Sequence, residues 1–151
     1  MNKSKEKGLE VIGRNVCEKI LIPNYDRLKL RASGQWSRML DVRTRGNTIE
    51  ILGANYTHYM IHGRASGKLP PIAAIALWLK QKGIKANPYA VAKTIAKNGT
   101  RTFQKGENNL LKVLEDSKNK QEIALQVGKV LLPEYQQRLI EILKKLLKNG
   151  H

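Results

Sequence analysis

The sequence predicts an α+β fold on three observations. Apolar residues recur at helical spacing through most of the chain. One stretch alternates with period two on either side of a Gly-Asn pair. That stretch lies between helical segments instead of recurring with them, which argues for a small antiparallel sheet packed by helices. The 151 residues are 41% hydrophobic, enough for a real core, and only 5% aromatic, so the core is mainly Leu, Ile, Val and Ala.

The elements follow in order. From Ser4 to about Ile22, Leu9, Ile12, Val16 and Ile20 keep i, i+3, i+4 spacing, with Ser4 as N-cap, residues 1–3 frayed and Pro23 as the stop. Residues 24–35 read as a connector, with Leu28–Arg31 as a short strand candidate inside it. Residues 36–53 read as a hairpin. Trp36, Arg38, Leu40 and Val42 share one face, Met39, Asp41 and Arg43 the other, and Gly46-Asn47 is a two-residue turn before Thr48–Ile51 returns. Residues 55–62 read two ways: Tyr56, Tyr59 and Met60 have helical spacing and the β-rich composition argues for a strand, with the short helix preferred.

Pro71 then opens a helix as a first-turn proline. Ile72, Ile75, Ala76 and Leu79 form its buried stripe, Lys80 and Lys82 face outward, and Gly83 is its stop. Asn87-Pro88 caps and starts the next helix, whose inner face is Val91, Ile95 and nearby alanines, ending at Asn98-Gly99. Residues 99–107 read as a polar loop. A helical turn or two over Leu110–Glu115 and a helix over Gln121–Leu131 follow. Pro133 opens the last helix, with a stripe of Tyr135, Leu139, Ile142, Leu143 and Leu146, and with Lys144, Lys145 and Lys148 placed favourably for the helix dipole. The division expected is a core domain over 1–107 and a helical C-terminal extension over 108–151.

The formal charge of +16 speaks to partners more than to fold. It is concentrated: Lys80, Lys82, Lys85, Lys93, Lys97, Arg101 and Lys105 fall in residues 71–105, which contain no Asp or Glu. These seven are candidate contacts for DNA or an acidic partner; the plain alternative is a solvated face. The single cysteine, Cys17, excludes an internal disulfide and sits on an apolar helical stripe as a structural thiol. The polar N-terminus and the lack of a long apolar run predict a soluble protein made in a reducing compartment, with no signal peptide and no membrane partner.

The most loaded ten residues are 62–71, HGRASGKLPP. They are not a phosphate-binding loop: three residues, not four, separate Gly63 from Gly67-Lys68, Leu69 stands where a hydroxyl is needed, and Pro70 and Pro71 have no N–H to offer. His58 and His62 stand at i, i+4 without a third ligand nearby, so no metal is expected. His151 ends the chain and reads as the start of a purification tag. Glu115-Asp116 reads as a solvated helix end, and Ser66 lacks a nucleophile context. No side chains present a nucleophile, a base and an orienter, so the expectation is a non-enzymatic protein without cofactors.

Residues Tyr56 to Ile84 carry a pattern of their own. Tyr56 and Tyr59 precede His62-Gly63-Arg64, then Gly67-Lys68 and Pro70-Pro71, then a helix reading Ile72-Ile75-Trp78, and farther on an Ala-rich helix ends in Gly99-Thr100. This resembles the head–tail connector, neck and tail-completion proteins of tailed bacteriophages. The likeness covers about a third of the chain and does not reach beyond residue 108. The family often has Glu before the first Gly, where this chain has His62. The resemblance implies a ring-forming structural subunit of the virion neck, joining portal and tail around the DNA channel. It also implies an assembly loop and interface made by His62, Gly63, Arg64, Gly67, Lys68, Pro70, Pro71 and Trp78. Gly63 and Gly67 would shape that loop and Pro70-Pro71 would stiffen its exit. Arg64 and Lys68 would reach acidic neighbours or packaged DNA. The alternative reading is a basic nucleic-acid-binding module unrelated to virion assembly.

Overall fold

A computed structural model describes residues 3–106 and 108–148; residues 1–2, Glu107 and His151, on which some of the expectations fall, lie outside them. The chain is α+β, a set of helices around one two-stranded antiparallel hairpin. Helix α1 (Lys3–Val16) does not stop at Pro23. It runs through a π-helical stretch, Cys17–Leu21, into α2 (Ile22–Arg27). The Ile22 N–H reaches back five residues to the Cys17 carbonyl. That wider turn removes the clash between a proline ring and the carbonyl four residues earlier, so Pro23 sits in the first turn of α2 instead of ending the helix. Ser4 consequently lies inside α1 and not at its cap.

The connector expected over 24–35 therefore begins as helix, to Arg27, and ends in the first residue of another, Gln35. Its first helix closes with Lys29 in the left-handed region (φ 56°) and the Leu30 N–H on the Tyr25 carbonyl, so Leu28–Arg31 is a turn and not a strand. The hairpin begins later than expected. Trp36 and Arg38 belong to a short helix, α3 (Gln35–Arg38), entered through Gly34 at φ 75°. The strands are β1 (Asp41–Arg45) and β2 (Thr48–Leu52), paired from Asp41–Leu52 to Arg45–Thr48 around the predicted Gly46-Asn47 turn.

Val16, Cys17, Leu21, Tyr25, Trp36, Val42, Ala54, Ile61 and Leu110 form the core. Gly13 lets α1 lie directly on the hairpin: a Cβ there would sit 2.8 Å from the Ile49 Cγ2. The rings of Tyr25 and Trp36 pack with centroids 4.8 Å apart, and the Trp36 indole N–H donates to the Thr57 hydroxyl at 3.0 Å. Cys17 is 5% exposed, and burial pushes its thiol pKa up, as suits a structural thiol. Leu110 is fully buried, and the buried Asn24 side chain donates to its carbonyl at 2.9 Å. The first residues of the expected C-terminal extension thus share the core of the N-terminal helix.

Helix α4 (Thr57–His62) forms where the tyrosine spacing placed it. Helices α5 (Ile72–Lys82) and α6 (Pro88–Asn98) make a helical hairpin, closed by Gly83 at φ 67° and by the Asn87 side chain, which accepts the N–H groups of Tyr89 and Ala90. Pro71 stands one place outside α5, as its cap residue. The stretch expected as a polar loop holds a further turn of helix, α7 (Arg101–Gln104), capped by the Thr100 hydroxyl. After a 3-10 turn at Lys112–Glu115, one 32-residue helix, α8 (Ser117–Lys148), replaces the two helices expected there. Pro133 lies inside it. No helix among the described residues is long and apolar enough to cross a membrane.

Candidate functional site: the loop 62–71 and the basic helical hairpin

The loop leaves α4 through Gly63, whose N–H caps the helix on the Tyr59 carbonyl at 2.8 Å. Its backbone then runs against the junction of α6 and α7. The Arg64 N–H donates to the Thr100 hydroxyl at 2.9 Å, and the Thr100 N–H donates back to the Arg64 carbonyl at 2.8 Å. Three residues on, the Gly67 N–H donates to the Ala96 carbonyl at 2.8 Å. Gly63 and Gly99 make this approach feasible. A Cβ on Gly63 would overlap the Phe103 backbone nitrogen and the Thr100 hydroxyl, and one on Gly99 would sit 2.7 Å from the Arg64 carbonyl oxygen.

The loop is therefore held in one shape by a neighbour 36 residues away, and the proline pair is only part of its rigidity. Pro70 is buried and Pro71 exposed. The Arg64 guanidinium folds back onto the Lys68 carbonyl at 2.8 Å, which braces the loop from inside, while the Lys68 side chain is exposed. His62 is exposed, and its ring lies 4.6 Å from that of His58. Sequence reasoning named Gly63, Gly67 and Arg64 but missed Thr100 as the partner that fixes them. A Gly-Thr pair after a helix signals a stop and a cap, not what else the hydroxyl will bind.

The helix after the loop is less buried than its periodicity suggested. Of the expected stripe only Leu79 is buried, at 4% exposure; Ile72 is exposed, and Ile75 and Ala76 are half-buried, while Ala92 of the neighbouring α6 is fully buried. Trp78 is 41% exposed, and Leu69, Leu77, Ile84 and Tyr89 are exposed with it. The hairpin thus presents apolar surface of the kind that marks interaction sites.

Of the seven basic residues, Lys80, Lys85, Lys93, Lys97, Arg101 and Lys105 are exposed. Lys93 and Lys97 share a face of α6 at i, i+4. Arg101 and Lys105 are spaced likewise and, with Thr102 and Asn108, line a shallow depression of about 220 Å³. Lys82 departs from the expectation. It is half-buried, its ammonium donates to the Lys29 carbonyl, and burial lowers its pKa. It ties the end of α5 to the turn after α2 and is not placed to meet a partner.

No protein-family model matches the chain, no curated protein matches it, and no solved structure matches it. The residues of the site themselves carry the functional reading.

Proposed function

We propose that this chain is a structural, non-catalytic subunit of the neck of a tailed-bacteriophage virion, forming a ring that joins portal and tail around the DNA channel. One observation carries the reading. The segment that resembles the connector proteins is a pre-shaped loop, pinned to Thr100 and Ala96, beside a helical hairpin whose Trp78 face is uncovered. A loop already fixed in its bound shape loses little conformational entropy on docking. An apolar face next to it supplies the burial that a subunit contact needs.

A loop on one copy meeting a different surface on the next is a head-to-tail contact, the kind that closes into rings. The exposed lysines and arginines of residues 80–105 then face packaged DNA by non-specific phosphate contact, or acidic surfaces of adjoining neck and tail proteins. The chain would be made in the host cytoplasm and end at the head–tail junction.

Electron microscopy and protein mass analysis of purified particles test this. The expected result is the chain at the junction, with residues 62–71 in contact with a neighbouring subunit. Its absence from particles overturns the proposal. The acid-free run of 71–105 favours a second reading, a free-standing nucleic-acid-binding module. That reading predicts tight duplex binding by the isolated chain, with an affinity that falls steeply as salt rises.

A further inference from the structure

The outer face of α8 carries a leucine repeat. Leu125, Leu132, Leu139 and Leu146 stand seven residues apart, with Tyr135 and Ile142 three residues after the second and third. All six are more than half exposed, from 53% at Tyr135 to 64% at Leu146. The half-buried side chains of α8 between Ile123 and Glu134 are Ile123, Gln126, Val127, Val130, Leu131 and Glu134, and at about 100° per residue they centre on nearly the opposite side of the helix. The body therefore does not obstruct the leucine face. Gly128 completes the repeat, and a Cβ there would meet nothing within 4 Å. Beyond Glu134 every residue to Lys148 is exposed.

We propose that a second copy of this chain covers this face, the two α8 helices pairing as a left-handed coiled coil from Leu125 to Leu146. A strict seven-residue repeat over three heptads is the pattern that supercoils, here with leucine at position a and Gly128, Tyr135 and Ile142 at position d.

The flanking side chains admit a second copy. On one side stand Lys129, Gln136 and Leu143, on the other Leu131, Arg138 and Lys145. In a parallel pair each side chain of the second set meets the residue five places on in the other copy. Leu131 then faces Gln136, Arg138 faces Leu143, and no two cations meet. Antiparallel pairing sets each set against itself; with Leu132 opposite Tyr135 of the other copy, Arg138 meets Leu131 and Lys129 meets Gln136, so in that direction too no two cations meet. Two copies meeting along these side chains remove on the order of 1,000 Å² from water, the size at which a specific interface begins. Ile140 and Leu147, also exposed, widen the face near its end and leave room for more than two strands.

Sedimentation velocity on the full chain reads the outcome. Expected is a mass at least twice the monomer's at micromolar concentration, falling to the monomer's in the variant Leu132→Glu/Leu139→Glu. Both positions are exposed, so the near-ultraviolet circular dichroism of buried Trp36 stays unchanged. In a separate variant, Ile142→Cys, mild oxidation links two parallel copies, which place that position against itself; in a second, Leu125→Cys/Ile142→Cys, it also links antiparallel copies, which place Leu125 against Ile142. A monomeric wild type, association that survives the double Glu variant, or a lack of cross-links in both Cys variants each overturns the proposal. A wild type that stays monomeric but sediments with anionic phosphatidylglycerol vesicles overturns it too, giving the face to a membrane. The proposal does not rest on the loop 62–71: an Arg64→Glu/Lys68→Glu variant keeps this association even where it is lost from particles.

Discussion

At Gly63 the backbone sits at φ 74° and ψ −167°, a combination open almost only to glycine, and a Cβ there would strike the Phe103 nitrogen and the Thr100 hydroxyl. Strain and overlap together make Gly63→Ala cost roughly 2–4 kcal/mol, which lowers the thermal midpoint by roughly 5–10 °C. Gly67→Ala is the control. Its φ is 146°, but nothing lies within 4 Å of a Cβ there, so only strain of about 1 kcal/mol is expected. Calorimetry on the two variants separates them, and equal losses would show that the contact with Thr100 is not what fixes the loop. Both glycines were legible in the sequence as permissive positions. What distinguishes them was not, because it depends on a residue far along the chain that only tertiary packing brings close. A second residue-scale expectation concerns Glu134. The hydrogen bond from Lys5, at 2.7 Å, holds its carboxyl below the usual carboxylate range. A carboxylate with a lowered folded pKa adds stability above its unfolded pKa and loses it as pH falls through the folded one. Thermal midpoints followed from neutral to acid pH should therefore fall more for the wild type than for Glu134→Gln, the two curves converging at low pH.

The helices show where proline is a reliable signal and where packing overrides it. Pro71 and Pro88 stand at or beside helix starts, where no intrahelical bond is lost, and the sequence placed those starts to within a residue. Pro23 was expected to stop a helix and Pro133 to open one, and the helical run passes through both. At Pro23 the chain opens a π turn, and Cys17, Leu21 and Tyr25 stay in the core. At Pro133 the helix is carried across by its seat on α1, where Lys5 bridges to Glu134 one residue later. The continuation was invisible because these contacts lie at the other end of the sequence. An interior proline is about 3 kcal/mol less favourable than alanine, so Pro133→Ala is expected to stabilise the chain by roughly 1–3 kcal/mol in urea unfolding. Pro23→Ala should gain much less, since the π turn already accommodates the ring. Equal gains would mean that the π turn relieves nothing.

On the scale of the whole molecule, stability is distributed unevenly. The buried residues from Val16 to Ile61 and Leu110 bind α1, the π turn, the hairpin, α4 and the start of the C-terminal segment into one core. The hairpin of α5 and α6 packs chiefly on itself, with Leu79 and Ala92 its buried residues, and Lys82 ties its end to the body. The distal part of α8, from Tyr135 on, is exposed throughout. The α+β class was legible because alternation and helical spacing are local properties. The incomplete covering of α5 and α8 was not, because an apolar stripe looks the same in sequence whether its partner is within the chain or outside it; the stripe at Ile72–Leu79 was read as buried. Opening energies follow the number of buried apolar contacts. Hydrogen exchange on dilute, unassembled chain should thus find the amides of α1 and β1–β2 slowest, those of α5–α6 intermediate, and those of 135–148 fastest, since a helix of that length without a partner is marginal in water. Raising the protein concentration should then slow exchange selectively in α8, while the α5–α6 hairpin gains protection only where its own neighbour is present. Uniform protection along the chain at low concentration would mean that the exposed stripes contribute to the monomer's stability after all.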